Sequence, residues 1–182
     1  MIDQCLSGHH NRCLKGEDVI VGRHGVYADK VRQALWTFPL PKNINTKTAG
    51  PLFCGGITVF NPIIQNNIKP TNHVAVVGIG GLGHMAIKFF NSWGCEVTAV
   101  SSNPENERET QQFGAHHFLN SWEPNALKSY TNSFDMILDT ANVNLDWDTY
   151  ISTLRPGGRL HIVGAAPQVK APLLKSLSVV HL

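Results

Sequence analysis

The sequence predicts an α/β fold built on a doubly wound parallel sheet. Three observations carry the prediction: short Val- and Ile-rich runs alternate with helical stretches after Thr71, a glycine turn stands at the first of these junctions, and the composition can support a core. Of 182 residues, 42% are hydrophobic and 15% charged, a balance that buries a core and excludes a disordered chain.

The elements follow in order. HVAVVGIG (residues 73–80) is the first strand with its turn, GHMAIKFFNSWG a helix, and EVTAVSS the second strand. A polar helical stretch runs from Pro104 to Phe113, followed by HHFLN as the third strand and a helix through Ala126 to Tyr130. FDMILDTA is the fourth strand, residues Leu145 to Leu154 form a helix, RPGG stops it, and GRLHIVGAA is the fifth strand. SLSVVHL can supply a sixth. Parallel strands of this kind need right-handed crossovers, which place helices on both faces of the sheet.

Before Thr71 the pattern is less regular. Residues 1–41 are rich in turn formers, and HGVYADKVRQALWTFPLP predicts two short strands broken near Arg32 and Gln33, too little to close a core alone. TKTAGPLFCGGITVFNPIIQ (residues 46–65) carries apolar residues at helical spacing and marks the junction between two units.

Composition also excludes function classes. Fifteen Lys and Arg against thirteen Asp and Glu give a net charge of +2 without a basic block, so no nucleic-acid partner is expected. No run approaches the roughly 18 apolar residues of a membrane helix, and MIDQCLSGHH has no signal-peptide pattern, so a cytoplasmic protein without a membrane partner is expected. Four cysteines, Cys5, Cys13, Cys54 and Cys95, are then thiols or metal ligands rather than disulfides.

The sharpest motif is Gly78, Ile79, Gly80, Gly81, Leu82, Gly83, a GxGxxG at the end of a strand and the start of a helix. Gly78 permits the tight turn, Gly80 lets the backbone approach a pyrophosphate, and Gly83 lets helix and strand pack closely, while the helix N-terminus offers free N–H groups. The bland alternative is a glycine turn with no ligand. The second strand ends at Ser101 and Ser102, where an acid would hold the ribose 2′-hydroxyl of NAD. Hydroxyls donate to a 2′-phosphate that a carboxylate would repel, so the residue types favour NADP over NAD. Arg108 is the nearest cation, Glu105 and Glu107 oppose a phosphate if they face it, and the serines are otherwise ordinary strand-end residues.

No other chemistry is legible. Cys5 and Cys13 do not close a four-coordinate zinc site, Cys54 and Cys95 have the character of packing residues, and the pairs His9 with His10 and His116 with His117 lack ligand spacing. There is no GxSxG elbow, and Asp135 and Asp139 sit in a strand pattern rather than as an acid and base pair. A hydride transfer needs neither, because the cofactor carries it. A methyltransferase using S-adenosylmethionine also has a Gly-rich first loop, but an acidic end to its second strand is expected where Ser101 and Ser102 stand.

GPLFCGGITVFNP, VGIGGLGHMAIKF, WGCEVTAVSS, FGAHHFLN and RPGGRLHIVGA together resemble the zinc-containing medium-chain alcohol dehydrogenases, most closely the cinnamyl alcohol dehydrogenase-like aldehyde reductases. The resemblance extends from Asp3 to about Pro172. It implies a Rossmann-type domain over residues 54–182, incomplete at its C-terminus, preceded by a remnant of a GroES-like catalytic domain over residues 1–53. It further implies an oxidoreductase moving hydride between NADP(H) and a small alcohol or aldehyde, with zinc polarising the oxygen in the complete protein, and a homodimer as one assembly. By the resemblance Cys54 is the surviving catalytic zinc ligand, and Cys5 and Cys13 are the last two of four structural zinc ligands. Thr58 approaches the nicotinamide, the loop from Gly78 to Gly83 the pyrophosphate, and Ser101 and Ser102 the adenosine phosphate. Thr140 and the segment Val163, Gly164, Ala165 line the nicotinamide pocket. The resemblance also implies truncation at both ends, hence weak or no turnover of this chain alone, with a nonenzymatic NADP-binding remnant as the rival.

Overall fold

The computed structural model describes residues 39–164, together with Ser7, residues 13–16, Gly25, residues 29–30 and the strand backbone of residues 179–181. The chain divides into two compact units, Met1–Ile44 and Asn45–Leu182. Of the first unit, residues 13–16 form a turn closed by Gly16 N–H donating to the Cys13 carbonyl (2.9 Å), with the Cys13 thiol partly buried. The strands expected around Arg32 and Gln33, like Cys5, lie outside the described residues.

The second unit is a six-stranded parallel sheet. Its strands are β1 (His73–Val77), β2 (Glu96–Ser101), β3 (His117–Asn120), β4 (Phe134–Asp139), β5 (Leu154–Ile162) and β6 (Val179–His181). Their order is β3-β2-β1-β4-β5-β6, so the chain leaves β1 in one direction to β2 and β3 and then crosses back to β4. That reversal opens a crevice at the carboxyl ends of β1 and β4, the place where ligands bind in sheets of this type.

Helices α1 (Gly55–Gln65), α2 (Gly81–Trp93), α3 (Asn106–Phe113) and α4 (Trp147–Ser152) complete the unit. Alternation along the strands divides the core in two. Val74, Val76, Met136 and Leu138 face Ala86, Ile87 and Phe90 of α2 and Val59 and Ile63 of α1. Ala75, Val77, Ile137 and Leu160 face Trp147 and Tyr150 of α4. In α2 the buried residues Gly83, Ala86, Ile87 and Phe90 recur at helical spacing, and Gly94 ends the helix in the left-handed conformation (φ 100°). Rings of Phe60 and Phe89, 5.4 Å apart, join α1 to α2.

Four expectations need correction. The stretch 46–65 is not one helix: a single 3-10 turn, Gly50–Phe53, precedes α1, because Pro51 and the glycines at 50, 55 and 56 weaken the first turns. The helix expected at Leu145 to Leu154 spans only Trp147–Ser152. RPGG, expected as its stop, lies inside β5, where a two-residue advance on β4 (Phe134 to Met136) is matched by five on β5 (Leu154 to Arg159). Gly157 (φ 80°) lets the extra residues bulge out while the strand resumes. The segment through Ala126 to Tyr130 is a single 3-10 turn, Leu127–Tyr130. Among the described residues no helix is long and apolar enough to cross a membrane.

Candidate functional site: a crevice at the strand ends

Two cavities open along the carboxyl edge of the sheet. The first, about 620 Å³, runs from Gly78, Ile79 and Gly80 past Ser101, Ser102 and Asn106 to Trp122, Val143 and Tyr150. The second, about 470 Å³, joins Gly80, Gly81 and Leu82 to Gly55, His84, Met85, Thr140 and Asn142. Gly80 is common to both, so one extended ligand can pass across the turn from one cavity to the other.

The turn is built by close approach. Gly78 adopts φ 86°, a region that costs an L side chain about 1–2 kcal/mol. A Cβ on Gly83 would collide with the Gly78 carbonyl oxygen, so α2 meets the turn without intervening side chain. The α2 N-terminus begins at Gly81 with no acidic residue in its first turn. Its first intrahelical bond in this turn is His84 N–H to the Gly80 carbonyl (3.1 Å), which leaves the N–H groups of Gly81, Leu82 and Gly83 facing outward for an anion. Free N–H groups and the positive end of the helix dipole make this turn chemically suited to an anion.

The neighbouring loops are tied to the turn. Thr140 Oγ1 donates to the carbonyls of Val77 (3.0 Å) and Gly78 (2.8 Å). Thr140 therefore clamps the turn from beneath while its residue also lines the second cavity. Asp139 is fully buried; its Oδ1 accepts the Ala141 N–H (3.0 Å) and its main-chain oxygen accepts those of Val163 (2.9 Å) and Gly164 (3.1 Å). Burial raises the Asp139 carboxyl to about 6, opposed only by the Ala141 hydrogen bond. Burial likewise raises the Tyr150 phenol, opposed by its hydrogen bond with the Ser121 side chain.

At the end of β2 the two serines diverge. Ser101 is buried, and its Oγ accepts the Asn103 N–H (3.1 Å) and an Asn106 Nδ2 hydrogen (3.0 Å), closing the turn into α3. Its own hydroxyl hydrogen is left to donate, and Ser102 is exposed beside it in the first cavity.

The structure thus gathers Gly78, Ile79, Gly80, Ser101 and Ser102 at one cavity and Gly80, Gly81, Leu82 and Thr140 at the other, with Gly83 buried under the turn. Val163 and Gly164 pack beneath Ala141 and Asp139 without lining either cavity, and Ala165 lies outside the described residues. Thr58 is half-buried one turn into α1, its N–H bonded to the Cys54 carbonyl (3.0 Å), and lines neither cavity. Cys54 is exposed, next to the Gly55 that borders the second cavity. Among the described residues no three His, Cys, Asp or Glu side chains are grouped to hold a metal, and Cys54 alone does not close a four-coordinate zinc site. Sequence reasoning left Asp139, Ala141 and Tyr150 out of the site; only the polar Asp139 in an apolar strand hinted at it.

Residues 81–181 match the family described as zinc-binding dehydrogenase. The chain belongs to this zinc-binding dehydrogenase family. Among similar proteins is the aldehyde reductase AdhA of Synechocystis sp., 52% identical over 161 residues that cover 88% of this chain and 48% of that protein. Among solved structures, the cinnamyl alcohol dehydrogenase SbCAD4 of Sorghum bicolor matches with a TM-score of 0.82 at 31% identity, covering 94% of this chain and 52% of that one. The CAD of Helicobacter pylori, complexed with NADP(H), matches with a TM-score of 0.62 at 30% identity over 69% of this chain and 35% of that one. This zinc-binding dehydrogenase chain spans about half the length of the curated relatives it matches.

Proposed function

We propose that this chain supplies the NADP(H)-binding half of a zinc-dependent alcohol dehydrogenase or aldehyde reductase acting on a small alcohol or aldehyde. The observation that carries the reading is the anion cradle of Gly78 to Gly83, open at the reversal point of the sheet. In this reading the N–H groups of Gly81, Leu82 and Gly83 hold the pyrophosphate and Ser101 and Ser102 donate to the 2′-phosphate. The nicotinamide lies in the cavity bordered by Gly55, Thr140 and Asn142, near Thr58, Val163, Gly164 and Ala165. Bound NADP(H) supplies the hydride; the residues here position it and exclude water. Similarity to an aldehyde reductase and to a dehydrogenase complexed with NADP(H) supports both the reaction class and the cofactor. In the same reading, residues 1–53 are part of a catalytic domain that contributes Cys5 and Cys13 to structural zinc, and Cys54 is one catalytic zinc ligand.

A second reading is a nonenzymatic NADP-binding chain. The observation behind it is the exposed Cys54, which belongs to no group of three metal-holding side chains among the described residues. Calorimetric titration with NADP⁺ and NAD⁺ tests the cofactor, and aldehyde-dependent NADPH oxidation with added zinc separates the two readings. Ser102→Asp should weaken NADP⁺ about tenfold or more relative to NAD⁺, the effect of a carboxylate set against a phosphate. Equal weakening of both cofactors would place the 2′-phosphate elsewhere.

A further inference from the structure

Ala141 is the point where three turns of the crevice meet. A Cβ on Gly78 would press on the Ala141 backbone at 3.0 Å, and one on Gly164 would collide with the Ala141 carbonyl oxygen. What holds Ala141 there is Asp139, through the Oδ1 hydrogen bond to its N–H (3.0 Å). The same residue's main-chain oxygen holds Val163 and Gly164, so Asp139 joins the loop after β4 to the loop after β5. Its other carboxylate oxygen, Oδ2, is buried with no hydrogen-bond partner.

The surroundings of that carboxyl are unusual for a carboxylate. Beside it in the sheet stand Val77 on β1 and Ile162 on β5, both apolar. From α4 the phenol of Tyr150 faces it, with Asp146 acting on the same phenol. Among the described residues no cation offsets it, and the Val77, Ala141 and Tyr150 around it also line the first cavity. A negative charge at this place would lie directly under a ligand that carries a pyrophosphate, in a medium that screens weakly.

We propose that Asp139 is a positioning residue for the dinucleotide, acting in its uncharged form by fixing Ala141, so that cofactor affinity falls when the carboxyl ionises. The inference rests on the dinucleotide reading above. The raised value of about 6 places the ionisation inside the pH range of the test below. Asp139→Asn keeps an acceptor for Ala141 and removes the charge, and is close to a copy of the protonated acid.

The test is calorimetry of the 182-residue chain with NADP⁺ across about pH 5.5 to about pH 7.5, wild type beside Asp139→Asn. Titration of the cofactor's own 2′-phosphate is common to both proteins and cancels in the ratio of their Kd values. That ratio, wild type over variant, should rise about fivefold as pH increases across the range. Linkage is reciprocal, so in wild type saturating NADP⁺ should raise the midpoint of the Asp139 carboxyl titration followed by carbon-13 NMR. This second measurement stands even if the variant does not fold. A flat ratio with binding intact, or a carboxyl midpoint that NADP⁺ leaves unmoved, overturns the inference alone. Absence of NADP⁺ and NAD⁺ binding in both proteins overturns the dinucleotide reading and the inference together.

Discussion

Asp139 and His73 stand at opposite ends of the same sheet, and both are partly governed by burial, with opposite signs. Asp139 is held up to about 6 from an ordinary 3.8, so the folded chain retains a proton that the unfolded chain releases. Its contribution to stability therefore declines as pH rises from about 4 to about 6 and is constant above, a difference of order 2–3 kcal/mol at neutral pH. His73 lies lower than its usual 6.5, first because of burial, although Glu96 opposes the shift. Its folded form resists protonation, so its contribution is lost as pH falls below the unfolded value. Chemical denaturation across this range should show Asp139→Asn more stable than wild type above pH ~6 and converging with it below pH ~4. A constant difference at every pH would show that the carboxyl is not the source.

The elements show how a sheet edge becomes a site. Parallel strands end together at the carboxyl edge, and the direction of the next helix decides what that edge presents. After β1 the chain turns through Gly78 straight into α2, so the crevice meets a helix N-terminus with free N–H groups. After β2 it turns through Ser101, whose acceptor oxygen is taken by Asn103 and Asn106, and only a hydroxyl hydrogen remains. The β5 bulge is the least regular of these elements. Gly157 has φ 80° and open space around it, so Gly157→Ala should cost about 1–2 kcal/mol through backbone strain alone. Thermal unfolding would register this as a lower Tm with NADP⁺ affinity unchanged, because the bulge lies at the start of β5, away from the crevice.

At the scale of the molecule, the proposed cofactor platform is the second unit, with one core layer on each face of its sheet and the crevice at the carboxyl edge. The cost of that opening is an edge of loops fixed mainly by hydrogen bonds at Thr140 and Asp139. A ligand bridging those loops binds the folded state alone. NADP⁺ at one hundred times its Kd should therefore stabilise the unit by about 2.7 kcal/mol, read as a rise in Tm that grows with ligand concentration. No shift at any NADP⁺ or NAD⁺ concentration would argue against a dinucleotide platform.

What could be read from the residues was whatever local chemistry enforces. Strand and helix alternation follows from side-chain periodicity, and it correctly located β1 to β5, α2 and the glycine turn, because Gly78 and Gly83 are demanded by backbone geometry within a few residues. The preference for NADP over NAD also starts from a local feature, the missing acid at Ser101 and Ser102, and belongs to the proposed function. Where local signals conflicted, the reading failed: RPGG has the composition of a stop, yet pairing with β4 pulls it into a bulged strand. The importance of Asp139 was equally invisible. Its neighbours in sequence are a leucine and a threonine, but its meaning comes from Ala141 two residues on and from Tyr150 and Gly164, which the β4–α4–β5 connection folds back beside it. Burial without a counter-charge is a property of packing between distant segments, and no stretch of sequence contains it.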